Sequence, residues 1–322
     1  DMSLGEFDLI ARYFPRPARR AVLGVGDDCA LLQPTPGMQL AVSSDMLVEG
    51  RHFLSTVAPE RLGHKALAVN LSDLAACGAR PLAFTLALAL PRPDEAFLAG
   101  FAKGLLALAD EHDIEIVGGD TTAGPLNLCI TVFGEVPPGQ ALRRDGARAG
   151  DGLWVSHAPG GGIGDARLAL EVFRGTLVLD GEDFERARRA MEQPQPRVAL
   201  GLALRGVASA AIDLSDGLSG DLRHVLRRSN VGATVLIDDL PCSPLLAAQP
   251  ATLRREFSAG GGDDYELLFT VADDAAVQDA ARTAGVAVTR IGRIEAEPGL
   301  RWVDAAGRSI TFKSSGFDHF AD

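Results

Sequence analysis

Short apolar runs alternate with segments of helical periodicity along most of the chain. Residues 81–90 are almost wholly apolar, which predicts a strand that is buried on both faces. Residues 59–77 and 94–111 carry apolar side chains at helical spacing, so each predicts an amphipathic helix. Strands that alternate with amphipathic helices are typical of an α/β (α+β) fold.

The alternation stops at Pro137-Pro138-Gly139 and resumes after Gly150. A chain of 322 residues is also longer than a single core usually supports. We therefore predict two domains, at residues 1–140 and 148–322.

Acidic residues recur where the predicted strands end or beside glycine. The clearest case is Ala211-Ile-Asp213-Leu-Ser215-Asp216-Gly217, where an apolar strand ends in two aspartates before a helical pattern begins. Strand ends that lead into helices commonly hold phosphates or metals, although Asp, Ser and Gly are also ordinary turn and capping residues. The acids in such positions are Asp27, Asp28, Asp45, Asp73, Asp120, Asp213, Asp216, Asp263 and Asp264.

The net charge of −12 argues against a nucleic-acid groove or an anionic membrane surface as a partner. The longest apolar run, residues 82–90, is about half as long as a membrane span. Four widely separated cysteines without a C-x-x-C pair favour free thiols in a reducing cytoplasm.

If the fold gathers the acids, cations must offset their mutual repulsion. Oxygen ligands without paired His or Cys select hard ions, above all Mg²⁺. Several Mg²⁺ ions beside glycine-rich corners suit a polyphosphate, so the sequence favours phosphoryl transfer by positioning and charge neutralisation. The Walker A, protein-kinase and G-x-S-x-G patterns are missing from the sequence.

Together these motifs resemble the thiamine-monophosphate kinase family, within the aminoimidazole-ribonucleotide synthetase superfamily. The resemblance rests on seven segments in the family's order: Gly24-Val-Gly-Asp-Asp28, Ser43-Ser-Asp-Met-Leu-Val-Glu-Gly-Arg-His-Phe53, Lys65-Ala-Leu-Ala-Val-Asn-Leu-Ser-Asp73, Gly118-Gly-Asp-Thr121, Ile212-Asp-Leu-Ser-Asp-Gly217, Gly262-Asp-Asp-Tyr-Glu-Leu267 and Gly316-Phe-Asp-His-Phe320. It implies two α/β domains, with the N-terminal domains pairing in a barrel-like homodimer interface. It also implies Mg²⁺-dependent transfer of phosphate from ATP to thiamine monophosphate.

The resemblance also implies a role for individual residues. The Mg²⁺ ligands would be Asp28, Ser43, Ser44, Asp45, Asp73, Asp120, Asp213 and Asp216. The ATP contacts would be Gly119, Asp120, Arg144 and Ser215. The contacts to thiamine monophosphate would be His52, Asp263 and Phe317, and Asp263 stands where many relatives carry Glu.

We expect direct in-line transfer, supported by Asp45, Asp120 and Arg144, with no residue acting as a general base. The nearest alternative is another ATP-using enzyme of the superfamily with a different substrate. A different class of protein, a non-catalytic acidic module that binds Mg²⁺ or Ca²⁺, would bind metal without consuming ATP.

Overall fold

The computed structural model describes residues 11–311. The chain divides into two compact units. The N-terminal unit contains the residues up to Leu74 and Ala79–Gly139, and the C-terminal unit contains Ala75–Gly78 and the residues from Gln140 onwards. Both units are mixed α/β, which confirms the predicted fold class.

In the part of the N-terminal unit that the structure describes, one four-stranded sheet is accompanied by two long helices. Its strands are β1 (Gln39–Val48), β2 (Arg80–Leu90), β3 (Glu115–Ala123) and β4 (Asn127–Val136), in the order β1-β4-β2-β3. Strand β4 is antiparallel to both β1 and β2, and β3 runs parallel to β2. Helix α1 (Pro59–Ala76) and helix α2 (Glu95–Glu111) occupy the two segments predicted from helical periodicity.

One face of this sheet is buried and the other is not. In the register, Asp45 of β1 pairs with Ile130, which pairs in turn with Leu86, and both apolar side chains are buried. The neighbouring row contains Met46 and Ala87, which are exposed. The prediction that residues 81–90 are buried on both faces is therefore wrong within one chain, because alternate positions of β2 lie on the uncovered face.

The C-terminal unit is built on a six-stranded sheet with the order β10-β7-β9-β5-β8-β6. The strands are β5 (Gly152–His157), β6 (Ala208–Asp213), β7 (Gly232–Leu236), β8 (Leu267–Val271), β9 (Ala287–Glu295) and β10 (Gly299–Val303). All neighbouring pairs are antiparallel except β7 and β10, which are parallel.

Seven helices accompany this second sheet in the described part of the chain. They are α3 (Asp165–Phe173), α4 (Gly181–Glu192), α5 (Val198–Ala203), α6 (Leu218–Ser229), α7 (Pro244–Ala247), α8 (Ala251–Gly260) and α9 (Val277–Ala284). The apolar side of α6, which includes Leu218, Leu222 and Val225, belongs to one buried core with Leu153 and Leu268 of the sheet. This packing fixes the start of α6 beside the end of β6.

Between residues 11 and 311, no helix is long and apolar enough to cross a membrane.

Candidate active site

The middle of β1 places hydroxyl and carboxylate groups on both faces of the N-terminal sheet. The prediction that Asp45 and Asp120 follow the ends of their strands is wrong, because β1 continues to Val48 and β3 to Ala123. Ser43 Oγ donates a 2.8 Å hydrogen bond to Oδ2 of Asp73 on α1. Ser44 points to the other face, where its hydroxyl shares a 2.8 Å hydrogen bond with Thr131 Oγ1 of β4. The structure thus brings Ser43 and Asp73 together, and it holds Ser44 apart from them.

Asp45 and Asp120 lie on the two outer strands of the same sheet. Asp120 of β3 pairs with Ala87 of β2, one row away from Asp45. Three strand spacings separate β1 from β3, so the two backbones are about 14 Å apart. Within one chain, the sheet therefore does not bring these two candidate ligands together.

Strand β3 passes so close to β2 at residue 119 that this position requires glycine. A Cβ at this position would lie 1.9 Å from the carbonyl oxygen of Leu86, and the residue has a φ of +152°. Only glycine allows the strand to run this close to its neighbour and still present Asp120. A Cβ at the preceding Gly118 would make an ordinary contact, 3.8 Å from Thr85 Cγ2.

The other two candidates of the N-terminal unit lie in loops. Asp28 is exposed in the turn between the paired residues Leu23 and Leu31. His52 follows β1, and its Nδ1 accepts a 3.0 Å hydrogen bond from the backbone N–H of Val48. The buried Lys65 of α1 donates from Nζ to the carbonyl oxygen of His52 at 3.1 Å, which fixes this loop.

In the C-terminal unit, the corner after β6 is paired with the loop before β8. The backbone N–H of Leu214 donates to the carbonyl of Glu266 at 2.8 Å, and Tyr265 N–H donates to Leu214 at 2.7 Å. Asp263 N–H donates to the carbonyl of Ser215 at 2.8 Å. The structure therefore brings Ser215 next to Asp263, whereas Asp213 pairs with Leu267 of β8.

The loop before β8 holds a strained backbone conformation. Asp263 and Tyr265 have φ values of 60° and 53°, in the left-handed region that side chains rarely adopt. Such strain costs of order 1–3 kcal/mol per residue and persists only where the surroundings impose it. Here the imposed geometry comes from the backbone pairing with the corner after β6.

A buried ion pair lies under this strained loop. Arg197 donates from Nε and Nη2 to the two carboxylate oxygens of Glu266, each at 2.7 Å. Ser156 Oγ donates to Glu266 Oε2 at 2.6 Å and accepts from the backbone N–H of Leu267 at 2.9 Å. The Glu266 side chain is 9% exposed, so its charge is satisfied by protein groups.

The glycine-rich segment at residues 160–164 is anchored in its second half. Ile163 is fully buried, and its N–H donates to the carbonyl of Pro241 at 3.0 Å. Gly164 N–H donates to Oδ1 of Asp264 at 2.9 Å. Burial, together with the charges of Glu266 and Asp165, raises the pKa of Asp264 well above its usual range.

Asp221 is a residue of this site that the sequence did not single out. It lies in the first turn of α6, is 2% exposed, and its Oδ2 accepts from the backbone N–H groups of Ser215 and Asp216 at 3.0 and 3.1 Å. Burial, followed by the charges of Asp216 and Asp213, raises the pKa of Asp221 to about 8. Its spacing one helical turn beyond Gly217 is the signal that could have identified it.

His224 and Arg144 lie beside this corner. Arg227 Nη2 lies 2.9 Å from His224 Nδ1, and a ring nitrogen of His224 and carboxylate oxygens of Asp216 and Asp221 all lie within 4.8 Å of one another. Burial and the charges of Arg227 and Arg144 lower the pKa of His224. Arg144, a candidate ATP contact, is therefore close to the corner in the C-terminal unit.

The donor set at the corner fits a magnesium ion. Asp213 and Asp216 supply carboxylate oxygens whose charges contribute to the raised pKa of the neighbouring Asp221, and a divalent cation offsets the repulsion among these carboxylates. Phe317 and the segment at residues 316–320 lie outside the described residues.

Comparisons with known proteins establish the family of this chain. Residues 26–136 match the N-terminal domain of AIR synthase related protein, and residues 148–304 match its C-terminal domain. The chain is 44% identical to the thiamine-monophosphate kinase of Salmonella typhimurium, over 99% of each chain. The chain belongs to the thiamine-monophosphate kinase family.

Solved structures of thiamine-monophosphate kinases show the same fold. The enzyme of Stenotrophomonas maltophilia K279a is 46% identical, with a TM-score of 0.83 over 94% of this chain and 97% of that one. The structure described as AaThiL complexed with AMPPCP and TMP is 28% identical, with a TM-score of 0.75 over 89% of each chain. These matches confirm the family resemblance seen in the sequence.

Proposed function

We propose that this protein transfers the γ-phosphate of ATP to thiamine monophosphate and forms thiamine diphosphate and ADP. The observation that carries the proposal is the 44% identity to a thiamine-monophosphate kinase over 99% of both chains. The AaThiL structure complexed with AMPPCP and TMP supports the same pair of substrates.

We assign the residues as the resemblance implies, and the geometry supports part of the assignment. Ser43 with Asp73, and Asp213 with Asp216, form two oxygen-rich groups suited to Mg²⁺, and Asp28, Ser44, Asp45 and Asp120 complete the proposed ligands. When bound, Mg²⁺ neutralises phosphate charge. Gly119, Asp120, Arg144 and Ser215 would contact ATP, and His52, Asp263 and Phe317 would contact thiamine monophosphate.

Charge neutralisation is the main catalytic requirement of this reaction. The nucleophile is a phosphate oxygen of thiamine monophosphate, and with a second pKa of about 6 it is largely ionised at neutral pH. It therefore needs no general base. Two unit charges about 4 Å apart repel by about 4 kcal/mol at an effective dielectric of 20, so cations and Arg144 must offset the approach of the two phosphates.

The direct test is product analysis with the purified protein, ATP and Mg²⁺. Thiamine diphosphate is expected from thiamine monophosphate and not from free thiamine, and EDTA is expected to abolish its formation. ATP consumption without thiamine diphosphate would point to another substrate of the superfamily. Metal binding without any ATP turnover would point to the non-catalytic module.

We also propose that the N-terminal unit, residues 1–140, forms a homodimer through β1, and that residues 148–322 form the C-terminal domain. Strand β1 is at the edge of its sheet, and Leu40, Val42 and Met46 are all more than half exposed on one face. An apolar edge strand of this kind is an aggregation hazard unless another chain covers it.

The dimer is tested by light scattering after size-exclusion chromatography. Val42→Lys is expected to give a monomer, because a buried lysine would replace an apolar contact. Val178→Lys is the matched control, since Val178 is 91% exposed in a loop of the C-terminal unit. A monomeric unmodified protein, or a dimer that survives Val42→Lys, would contradict the proposed interface.

A further inference from the structure

Asp221 and His224 form a second row of side chains beneath the corner that carries Ser215 and Asp216. Both project from α6, whose apolar side is fixed in the core of the C-terminal unit. The corner itself contains no regular secondary structure and turns directly into α6. Its shape therefore depends on the groups that accept its backbone N–H donors.

Asp221 supplies the acceptor for two consecutive donors. Its Oδ2 receives the N–H groups of Ser215 and Asp216, at 3.0 and 3.1 Å, in a place where Asp221 is only 2% exposed. Without this oxygen, two consecutive amides of the corner would lose their protein acceptor. The corner would then relax to a conformation that satisfies them elsewhere.

Gly217 leaves the corner little freedom on its other side. It has a φ of +115°, and a Cβ there would lie 2.9 Å from the carbonyl carbon of Gly260. The backbone of Leu214 and Ser215 is tied to the loop before β8. The close contact at Gly217 and the backbone pairing to the loop before β8 are thus two constraints on the corner. Asp221 adds a third, which its side chain provides.

His224 lies beside the carboxylate of Asp216. An arginine can only donate, so the contact from Arg227 Nη2 makes Nδ1 of His224 an acceptor. The neutral ring then carries its proton on Nε2, which makes the imidazole a hydrogen-bond donor rather than a metal ligand. A ring nitrogen of His224 lies within 4.8 Å of carboxylate oxygens of Asp216 and Asp221, so the ring lies beside both carboxylates.

We propose that Asp221 and His224 are positioning residues that fix the Ser215–Asp216 corner, Asp221 through the backbone and His224 through the carboxylates. This inference rests on the proposed function, in which Ser215 contacts ATP and Asp216 binds a cation. Neither positioning residue touches the substrates. Their effect is to hold the Asp216 carboxylate in the orientation that receives the ion.

The experiment compares Asp221→Leu with Asp221→Asn. Leucine removes the acceptor, whereas asparagine keeps an oxygen that can accept both N–H groups. Since a misplacement of about 1 Å can cost about 10²-fold in rate, kcat is expected to fall by that order in Asp221→Leu and to recover in Asp221→Asn. The matched control is Asp165→Leu, which removes a partly buried carboxylate at the start of α3 that accepts a 2.7 Å hydrogen bond from Ser243 Oγ.

A second readout does not depend on turnover. Mn²⁺ accepts the same oxygen ligands as Mg²⁺ and is followed by electron paramagnetic resonance without nucleotide. The folded Asp221→Leu protein is expected to bind Mn²⁺ about tenfold more weakly, and Asp221→Asn and Asp165→Leu are expected to bind it within twofold of the unmodified protein. Unchanged Mn²⁺ affinity in a folded Asp221→Leu protein would overturn the inference.

Two further outcomes keep the test decisive. If Asp221→Leu does not fold, the comparison is repeated with His224→Leu, which removes the N–H donor, and His224→Gln, which retains one. Equal Mn²⁺ affinity in these two variants would overturn the role of the His224 ring. If the unmodified protein fails to phosphorylate thiamine monophosphate, the proposed function fails. The Mn²⁺ comparison still decides whether the corner is positioned in this way.

Discussion

Replacing Glu266 with glutamine tests the buried ion pair under the strained loop. The carboxylate is 9% exposed and Arg197 is 12% exposed, and the two are joined by two hydrogen bonds of 2.7 Å. In Glu266→Gln the guanidinium stays buried without its counterion. Breaking a buried pair in this way costs about 3–5 kcal/mol.

Urea denaturation followed by tryptophan fluorescence measures this loss in the free energy of unfolding for the C-terminal unit, which contains the ion pair. Both tryptophans, Trp154 and Trp302, belong to the C-terminal unit. With an m-value of about 2.5 kcal/mol/M, the midpoint is expected to fall by about 1–2 M.

An exposed pair provides the matched control. Glu182 and Arg186 form an i,i+4 pair with side chains that are 80% and 66% exposed, and Glu182→Gln is expected to change the free energy of unfolding by less than about 0.5 kcal/mol. If Glu266→Gln destabilised the protein no more than Glu182→Gln does, the ion pair would contribute nothing to holding the loop, and the reasoning would be refuted.

Two other predictions follow from the candidate site. Because the folded pKa of Asp221 is raised to about 8, the folded state keeps a proton that the unfolded state releases, so stability in EDTA falls as pH rises from about 4 to 8. Asp221→Asn has no such proton, so its stability is expected to fall less steeply with pH and to exceed that of the unmodified protein by a few kcal/mol at pH 8 in thermal unfolding. The same dependence of stability on pH in both proteins would contradict this. Gly119→Ala places a Cβ 1.9 Å from Leu86 O and is expected to weaken MgATP binding at least tenfold in initial-rate kinetics. Gly118→Ala, with 3.8 Å of clearance, is expected to behave like the unmodified protein, and similar KM values for the two variants would show that the close approach is unimportant.

The elements of this protein were predictable because local patterns encode them. Helical spacing located α1 and α2 to within about two residues, and the apolar run at residues 81–90 located β2. The same run suggested burial on both faces, which is wrong within one chain. Composition shows that a side chain is apolar, but it does not show whether a neighbouring element covers it.

The sequence by itself determined the family, the two α/β domains and the strand-end position of Asp213, because short motifs and periodicity are local properties. Only the tertiary structure decided which acids meet. Strand order separates Asp45 from Asp120 by about 14 Å, although their motifs look alike in the sequence. Backbone pairing joins Ser215 to Asp263, and the packing of α6 places Asp221 beneath them. These contacts depend on register and packing between distant segments, which no local pattern specifies.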